Sequence, residues 1–170
     1  MNLCDKCSKI DKTCCQLGSG VVLLTDGDIK RIINFVGQND FWLMEEPKEY
    51  LKNRILSSFD PNMRLYALSK DNKVQTLKHQ ANGDCTFLTE KGCILPMEDR
   101  PLYCRIHPYD FVEEVVTGIT FVDCPVQYLD KKGDLPDILN VKYDDAVRWV
   151  KQLYNELKEG KIYNENRNNL

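Results

Sequence analysis

The eight cysteines are the residues of this chain whose type and spacing point most directly to chemistry. Four of them lie close together near the N-terminus, as Cys4-x2-Cys7 followed by the adjacent pair Cys14-Cys15. Two cysteines separated by two residues can aim both sulfurs at one ion about 2.3 Å away, and four thiols in one loop can share a centre. The spacing therefore predicts a metal site.

The other four cysteines are spread along the chain, far in sequence from the first group. Four plus four thiols allow two four-thiolate sites, one large cluster, or one metal site beside buried structural cysteines. Spacing alone does not decide among these arrangements, so every cysteine is a candidate metal ligand. The candidates are Cys4, Cys7, Cys14, Cys15, Cys85, Cys93, Cys104 and Cys124.

Two features bear on which metal is bound. Successive side chains on extended backbone point to opposite faces, so Cys14 and Cys15 suit two atoms of a cluster better than one ion. Cys124-Pro125 is similar to the Cys-Pro that closes the ligand run of bacterial ferredoxins, although a rigid turn after a strand is the simpler explanation. We therefore expect an iron–sulfur cluster as the cofactor, with zinc as the alternative.

The composition of the 170 residues limits the class of protein. The 23 basic and 26 acidic residues leave a net charge of -3, which disfavours nucleic acid as a partner. No signal-peptide-like stretch follows Met1 and no apolar run is long enough to span a bilayer, so we expect a soluble, cytoplasmic protein without a membrane partner. A reducing cytosol also disfavours disulfides and leaves thiols free to bind metal.

Helices are predicted on both sides of the cysteine-rich middle. Thr25 and Asp28 form a capping-box-like start for a first helix that ends at Gly37. A second helix is predicted from about Pro47 to the stop at Asp60-Pro61. Its inward side chains are expected to be Tyr50, Leu51, Ile55 and Phe59.

A third helix is predicted over residues 143–159, with Gly160 as its C-cap. One face of this segment is apolar and is expected to pack in the core. That face consists of Ala146, Val147, Val150, Leu153, Tyr154 and Leu157.

Short strands are predicted between these helices. Their ranges are 65–68, 74–77, 85–88, 93–95, 110–116 and 118–122. The first two are expected to form a hairpin through Asp71-Asn72, and the last two through Thr117-Gly118. The pattern predicts a small single α+β domain over residues 1–162, with short β-hairpins, flanking helices and irregular cysteine-rich metal-binding loops. A disordered tail is predicted over residues 163–170.

Six motifs carry a family resemblance. They are Cys4-x2-Cys7, Cys14-Cys15, Leu24-Thr25-x2-Asp28, Gly83-x-Cys85-x-Phe87-Leu88, Gly92-Cys93 and Arg100-Pro101-x2-Cys104-Arg105-x2-Pro108. Together they resemble the CxxCxxCC cysteine-cluster family, also called YkgJ-like, over roughly residues 4–124. The resemblance implies a zinc- or iron-chelating domain, often labelled an iron–sulfur oxidoreductase. The six residues between Cys7 and Cys14 exceed the two in the family's name, so its coordination geometry transfers less directly.

Two arginines flank Cys104. Arg100 and Arg105 could offset the negative charge of a cysteine-ligated cluster, or they could bond backbone carbonyls and pin the turn. The sequence favours neither role.

The two histidines and two early acids have simpler interpretations. His107 could bind metal or carry a proton, but a structural role is favoured, and His79 is expected to be exposed. Asp26 and Asp28 are interpreted as acids of a first helical turn.

The leading hypothesis is a metal-binding protein with a redox or electron-transfer accessory role and a redox or other protein partner. The alternative is a structural zinc-binding interaction module. A further alternative is a protein-modifying enzyme related to the flagellin lysine methylases, which look similar through their cysteine pattern but are longer. Motifs for dinucleotide, nucleoside triphosphate or hydrolase chemistry are missing, so whether the protein is an enzyme stays open.

Overall fold

A computed structural model describes Cys15, residues 21–119 and residues 134–167. Over these residues the chain forms six α helices and six short β strands. The helices are α1 (Asp26–Val36), α2 (Glu49–Ile55), α3 (Pro61–Ala67), α4 (Leu102–Ile106), α5 (Leu135–Leu139) and α6 (Tyr143–Arg167). The strands are β1 (Trp42–Glu45), β2 (Val74–Leu77), β3 (Leu88–Thr89), β4 (Gly92–Cys93), β5 (Tyr109–Val112) and β6 (Val115–Ile119). They pair as three two-stranded antiparallel sheets, which confirms the α+β prediction.

Helix α1 begins and ends where its sequence predicts. The backbone N–H of Asp28 donates to Thr25 Oγ1 (2.9 Å), and the N–H of Thr25 donates to Asp28 Oδ2 (3.0 Å), which completes the capping box. Gly37 follows with φ +72°, and its N–H donates to the Ile33 carbonyl (2.8 Å). Glycine suits this position because it enters the left-handed region without steric cost.

The region between α1 and the cysteines differs from its prediction. Residues 65–68 lie mostly in helix α3, so strand β2 pairs with β1 instead, with Trp42 opposite Leu77. Asp60-Pro61 does not end a helix; it starts α3, because Asp60 Oδ1 accepts the Met63 N–H (3.0 Å) and proline suits the first helical turn. Helix α2 ends at Ile55, earlier than the predicted stop at Asp60-Pro61. Phe59, which was expected to face inward, is 80% exposed.

The hairpin β5–β6 turns four residues earlier than predicted. Its turn is Glu113-Glu114, with φ values of +46° and +68°, the backbone that suits a two-residue turn between twisted strands. Gly118 lies within β6 opposite Asp110. Residues 120–122 of the predicted strand lie outside the described residues.

The long helix α6 buries most of its predicted apolar face. Ala146, Val150, Leu153, Tyr154 and Leu157 are buried. The helix does not stop at Gly160 but continues to Arg167, because no left-handed residue interrupts it there. It thus takes in residues 163–167 of the predicted tail, and residues 168–170 lie outside the described residues.

Two apolar clusters form the core. The larger one surrounds α6 and consists of Val21, Leu23, Leu51, Ile55, Met63, Leu68, Val74, Leu102, Ile106, Phe111, Val150, Leu153, Tyr154 and Leu157. The smaller one packs against the cysteines and consists of Leu24, Ile29, Ile32, Phe41, Leu77, Phe87 and Leu95. Each fully buried aliphatic or aromatic side chain contributes about 1.5–3 kcal/mol, so both clusters help to hold the loops that carry the thiols.

Candidate metal centre

Four cysteines from separate segments of the chain lie in one region. None of Cys15, Cys85, Cys93 and Cys104 forms a disulfide among the described residues, and all four are half-buried. Cys15 interacts electrostatically with each of the other three sulfurs, and Cys104 interacts with all three of its neighbours. The N–H of Cys85 also donates to the Cys15 carbonyl (2.6 Å), which fixes two of these segments together. The fold therefore places one thiol of the N-terminal group among three of the later group.

The remaining candidate ligands are outside the part of the chain that the structure describes. They are Cys4, Cys7, Cys14 and Cys124. Among the described residues, no group of three His, Cys, Asp or Glu side chains is arranged to hold one metal ion. Metal binding by any of the eight cysteines therefore stays a prediction.

Short elements position Cys85 and Cys93. Cys85 forms an isolated antiparallel bridge with His79, so that histidine is half-buried and not exposed as predicted. Cys93 ends β4 and lies opposite Leu88 of β3. Strands were predicted over 85–88 and 93–95, but apart from the isolated bridge of Cys85, only Leu88 and Cys93 of those ranges pair, because the hairpin closes tightly through Gly92 at φ +92°.

Backbone N–H groups point at two of the sulfurs. The Phe87 N–H donates to the Cys85 sulfur, as does the Leu88 N–H, which also donates to the Cys85 carbonyl (2.9 Å). The Leu95 N–H donates to the Cys93 sulfur. These hydrogen bonds stabilise sulfur in its thiolate form, the form that binds metals.

Burial works in the opposite direction on the same thiols. It raises the pKa of Cys85 to about 12, with Cys15 and Cys93 adding to the rise and the two N–H groups opposing it. Burial likewise raises the pKa of Cys93, and it raises the pKa of Cys104 well above its ordinary value. These three thiols are therefore protonated at neutral pH, and a metal that bound them would have to displace the protons.

Both interpretations of the flanking arginines have support. Arg105 is buried and donates from Nε to the Arg100 carbonyl (2.6 Å) and from Nη2 to the Glu98 carbonyl, so it pins the turn. Arg100 donates from Nε to the Leu95 carbonyl (2.9 Å) and also hydrogen-bonds the Cys93 sulfur, where its charge lowers the pKa. Arg100 thus both pins the backbone and favours the charged form of the Cys93 thiol.

Asp28 makes a long-range contact that the sequence interpretation missed. Besides capping α1, its Oδ1 accepts the backbone N–H of Leu102 (2.9 Å) from α4, the helix that carries Cys104. The carboxylate is fully buried and bonds Arg31 (2.6 Å). No local signal could reveal this role, because Leu102 lies 74 residues further along the chain.

His107 is held within the protein at the end of α4. Burial lowers its pKa, and the nearby charge of Asp110 opposes that effect. A neutral, half-buried imidazole beside a carboxylate fits the structural role that the sequence favours.

Comparison with known proteins found no matching family, curated protein or solved structure. The resemblance to the cysteine-cluster family therefore stays a prediction that rests on the motifs themselves. None of the helices in the described ranges combines the length and apolar character that crossing a bilayer needs.

Proposed function

We propose that this chain is a cytoplasmic metal-binding protein of the CxxCxxCC cysteine-cluster type, whose thiolates hold an iron–sulfur cluster used in a redox or electron-transfer accessory role. The observation that carries the proposal is the gathering of Cys15, Cys85, Cys93 and Cys104 in one region, with backbone N–H groups directed at two of the sulfurs. Ligand thiolates and hydrogen bonds to their sulfurs are the features that bind such clusters and set their potentials.

The chemistry of the donor set fits a thiolate-bound centre. Cys15, Cys85, Cys93 and Cys104 would hold it together with Cys4, Cys7, Cys14 and Cys124 as the remaining candidate ligands. A bound cluster supplies one-electron transfer. The adjacent pair Cys14-Cys15 favours a centre with several metal atoms, since neighbouring thiolates reach different atoms more easily than one ion.

The surrounding residues suit a centre that carries negative charge. Arg100 places a cation beside Cys93, and the smaller apolar cluster covers Cys85 and Cys93 on one side. Low solvent access strengthens the effect of such a cation, because less water screens it.

Serine substitutions at the described cysteines test this proposal. In anaerobically purified Cys15→Ser, Cys85→Ser, Cys93→Ser and Cys104→Ser variants, we expect metal per chain to fall at least several-fold. Thr86→Ser, a half-buried neighbour of Cys85, is the matched control and should keep the full metal content. Circular dichroism separates loss of metal from loss of fold. Wild-type metal content in all four cysteine variants would rule the centre out.

Structural zinc is the second candidate function, and the β3–β4 hairpin favours it. Each of these strands has two residues, and a lone hairpin of that size is marginal in water. A zinc ion held by Cys85, Cys93 and two further thiolates would stabilise it directly. Stoichiometric zinc in a colourless protein, with unfolding on chelation, would select this function over the redox one.

A further inference from the structure

One buried carboxylate caps two helices at once. Asp28 Oδ2 accepts the N–H of Thr25 (3.0 Å) at the start of α1, and Oδ1 accepts the N–H of Leu102 (2.9 Å) at the start of α4. Arg31 donates to the same Oδ1 (2.6 Å), and the Asp28 side chain is 0% exposed. Asp28 therefore joins the start of α1 to the start of α4, which lies 74 residues further along the chain.

Helix α4 needs such a partner. It has five residues, its N-cap is Pro101, and no side chain of its own segment caps it. A helix this short does not hold its shape without tertiary contacts, because nucleation is costly. Cys104 lies two residues after Leu102, so the hydrogen bond that fixes Leu102 also fixes the backbone that presents this thiol.

The charge of Asp28 also acts on the thiol. Asp28 is among the groups whose negative charge is felt by Cys104. Burial raises the pKa of Asp28, while the hydrogen bonds from Thr25, Arg31 and Leu102 oppose that rise and favour the ionised carboxylate. Arg31 offsets part of this charge and is itself paired with Glu156 of α6 (2.7 Å).

We infer that Asp28 is a positioning residue of the cysteine centre, which fixes Cys104 through Leu102 and sets the electric field at that sulfur. The inference rests on the proposed function, since it assigns a role within the same centre. Groups that orient metal ligands typically change metal affinity by about 10- to 100-fold when they are removed.

Three variants test the positioning role by competition with a chelator. Asp28→Ala removes the acceptor of the Leu102 N–H, and we expect metal affinity to fall by about 10- to 100-fold. Asp28→Asn keeps one oxygen that can accept this N–H, so it should restore part of the affinity. Asp26→Asn is the matched control: Asp26 lies in the same helical turn but bonds Gln75 (2.9 Å), and its affinity should equal that of the wild type.

The field is tested by substitutions of opposite charge. In an iron-loaded centre, Asp28→Asn removes a negative charge and should raise the reduction potential, whereas Arg31→Gln removes a positive charge and should lower it. A residue with a purely structural role would not give shifts of opposite sign. If an Asp28 variant fails to fold, Arg31→Gln still tests the electrostatic effect, because this variant keeps the Asp28 carboxylate and its hydrogen bond from Leu102.

Hydrogen exchange separates failure of this inference from failure of the proposed function. The Leu102 amide should be protected in the wild type and exchange faster in Asp28→Ala, with or without metal. A wild type without metal overturns the proposed function, while the exchange result still tests the cap. Metal affinity and Leu102 exchange that are the same in Asp28→Ala, Asp26→Asn and the wild type would overturn the inference.

Discussion

A Cβ atom on Gly27 would collide with Oε2 of Glu156, so the first turn of α1 packs directly against a carboxylate of α6. That carboxylate is held in place on several sides. It accepts from Arg31 (2.7 Å and 3.0 Å), from Gln152 (2.8 Å) and from the Thr25 hydroxyl. Glycine at position 27 therefore leaves room for the Glu156 carboxylate beside the first turn of α1.

Gly27→Ala should destabilise the protein. The added methyl group forces Glu156 away from Arg31 and Thr25, and overpacking of this kind costs about 1–3 kcal/mol. Alanine is otherwise the better helix former, which makes a loss of stability informative. Gly118→Ala is the control, because nothing lies within 4 Å of its added Cβ. Denaturant unfolding measures both variants, and equal stability of the two would contradict the packing.

Glu156 should make stability depend on acid pH. Burial raises its pKa, but hydrogen bonds from Arg31, Thr25 and Gln152 outweigh burial, so the pKa is lowered below 4.5. A lowered pKa means that this stabilisation is complete above the unfolded-state value and is lost as pH falls through the folded-state value. Removing the carboxylate should cost about 1–3 kcal/mol at neutral pH, because charged hydrogen bonds are lost.

The test compares Glu156→Gln with the wild type by denaturant unfolding at neutral pH and near pH 3. The difference in free energy of unfolding should shrink on acidification. Glu159→Gln, an exposed residue of the same helix, should have little effect at either pH. A Glu156→Gln difference that stays constant across this range would refute the assignment.

Tyr154→Phe should weaken the junction between α6 and α3. The Tyr154 hydroxyl donates to Asp60 Oδ2 inside the protein, and burial together with this bond raises the pKa of the phenol. Without that donor, Asp60 keeps only its bonds from the Met63 and Glu113 N–H groups among those the structure describes. We expect a loss of about 1.5–3 kcal/mol, the range for hydrogen bonds to charged groups.

Thermal and chemical unfolding of Tyr154→Phe are the measurements. Tyr143→Phe is the matched control in the same helix, since Tyr143 is 55% exposed. A loss of stability that is no larger in Tyr154→Phe than in Tyr143→Phe would argue against the buried bond.

Arg100→Gln should weaken metal binding without unfolding the protein. The substitution removes the cation next to Cys93 and the bond to the Leu95 carbonyl. Loss of such a partner costs about tenfold or more in metal affinity. Arg64→Gln, at an exposed position, is the control. Chelator competition measures both, and unchanged affinity in Arg100→Gln would show that the charge does not act on the centre.

Local signals were sufficient for α1 and for the buried face of α6. Thr25, Asp28 and Gly37 act within a few residues of where they stand, so spacing alone reveals the cap, the helix and its end. Asp60-Pro61 could not be interpreted from the sequence in the same way, because the same pair can end one helix or start the next. In the structure, the Asp60 carboxylate accepts the Met63 N–H as the cap of α3 and also accepts the distant Tyr154 hydroxyl, which the local sequence does not reveal.

The candidate site likewise has one part that the sequence predicts and one part that it does not. Cysteine type and spacing predicted which residues to consider, and the fold brings Cys15 to Cys85, Cys93 and Cys104. The supporting contacts are long-range, and the bond from Leu102 to Asp28 crosses 74 residues. Such contacts leave no periodicity or spacing in the sequence, so they become visible only in three dimensions.

The central claim is that the thiols hold an iron–sulfur centre, and the most direct test is metal and sulfide analysis of the wild-type protein purified without oxygen. Iron, acid-labile sulfide and zinc should be measured per chain on one sample, together with its visible spectrum. We predict matching iron and sulfide and broad absorbance near about 400 nm, as expected for thiolate-bound iron–sulfur centres. A colourless protein with stoichiometric zinc would contradict the redox role, and a metal-free protein would contradict the centre itself.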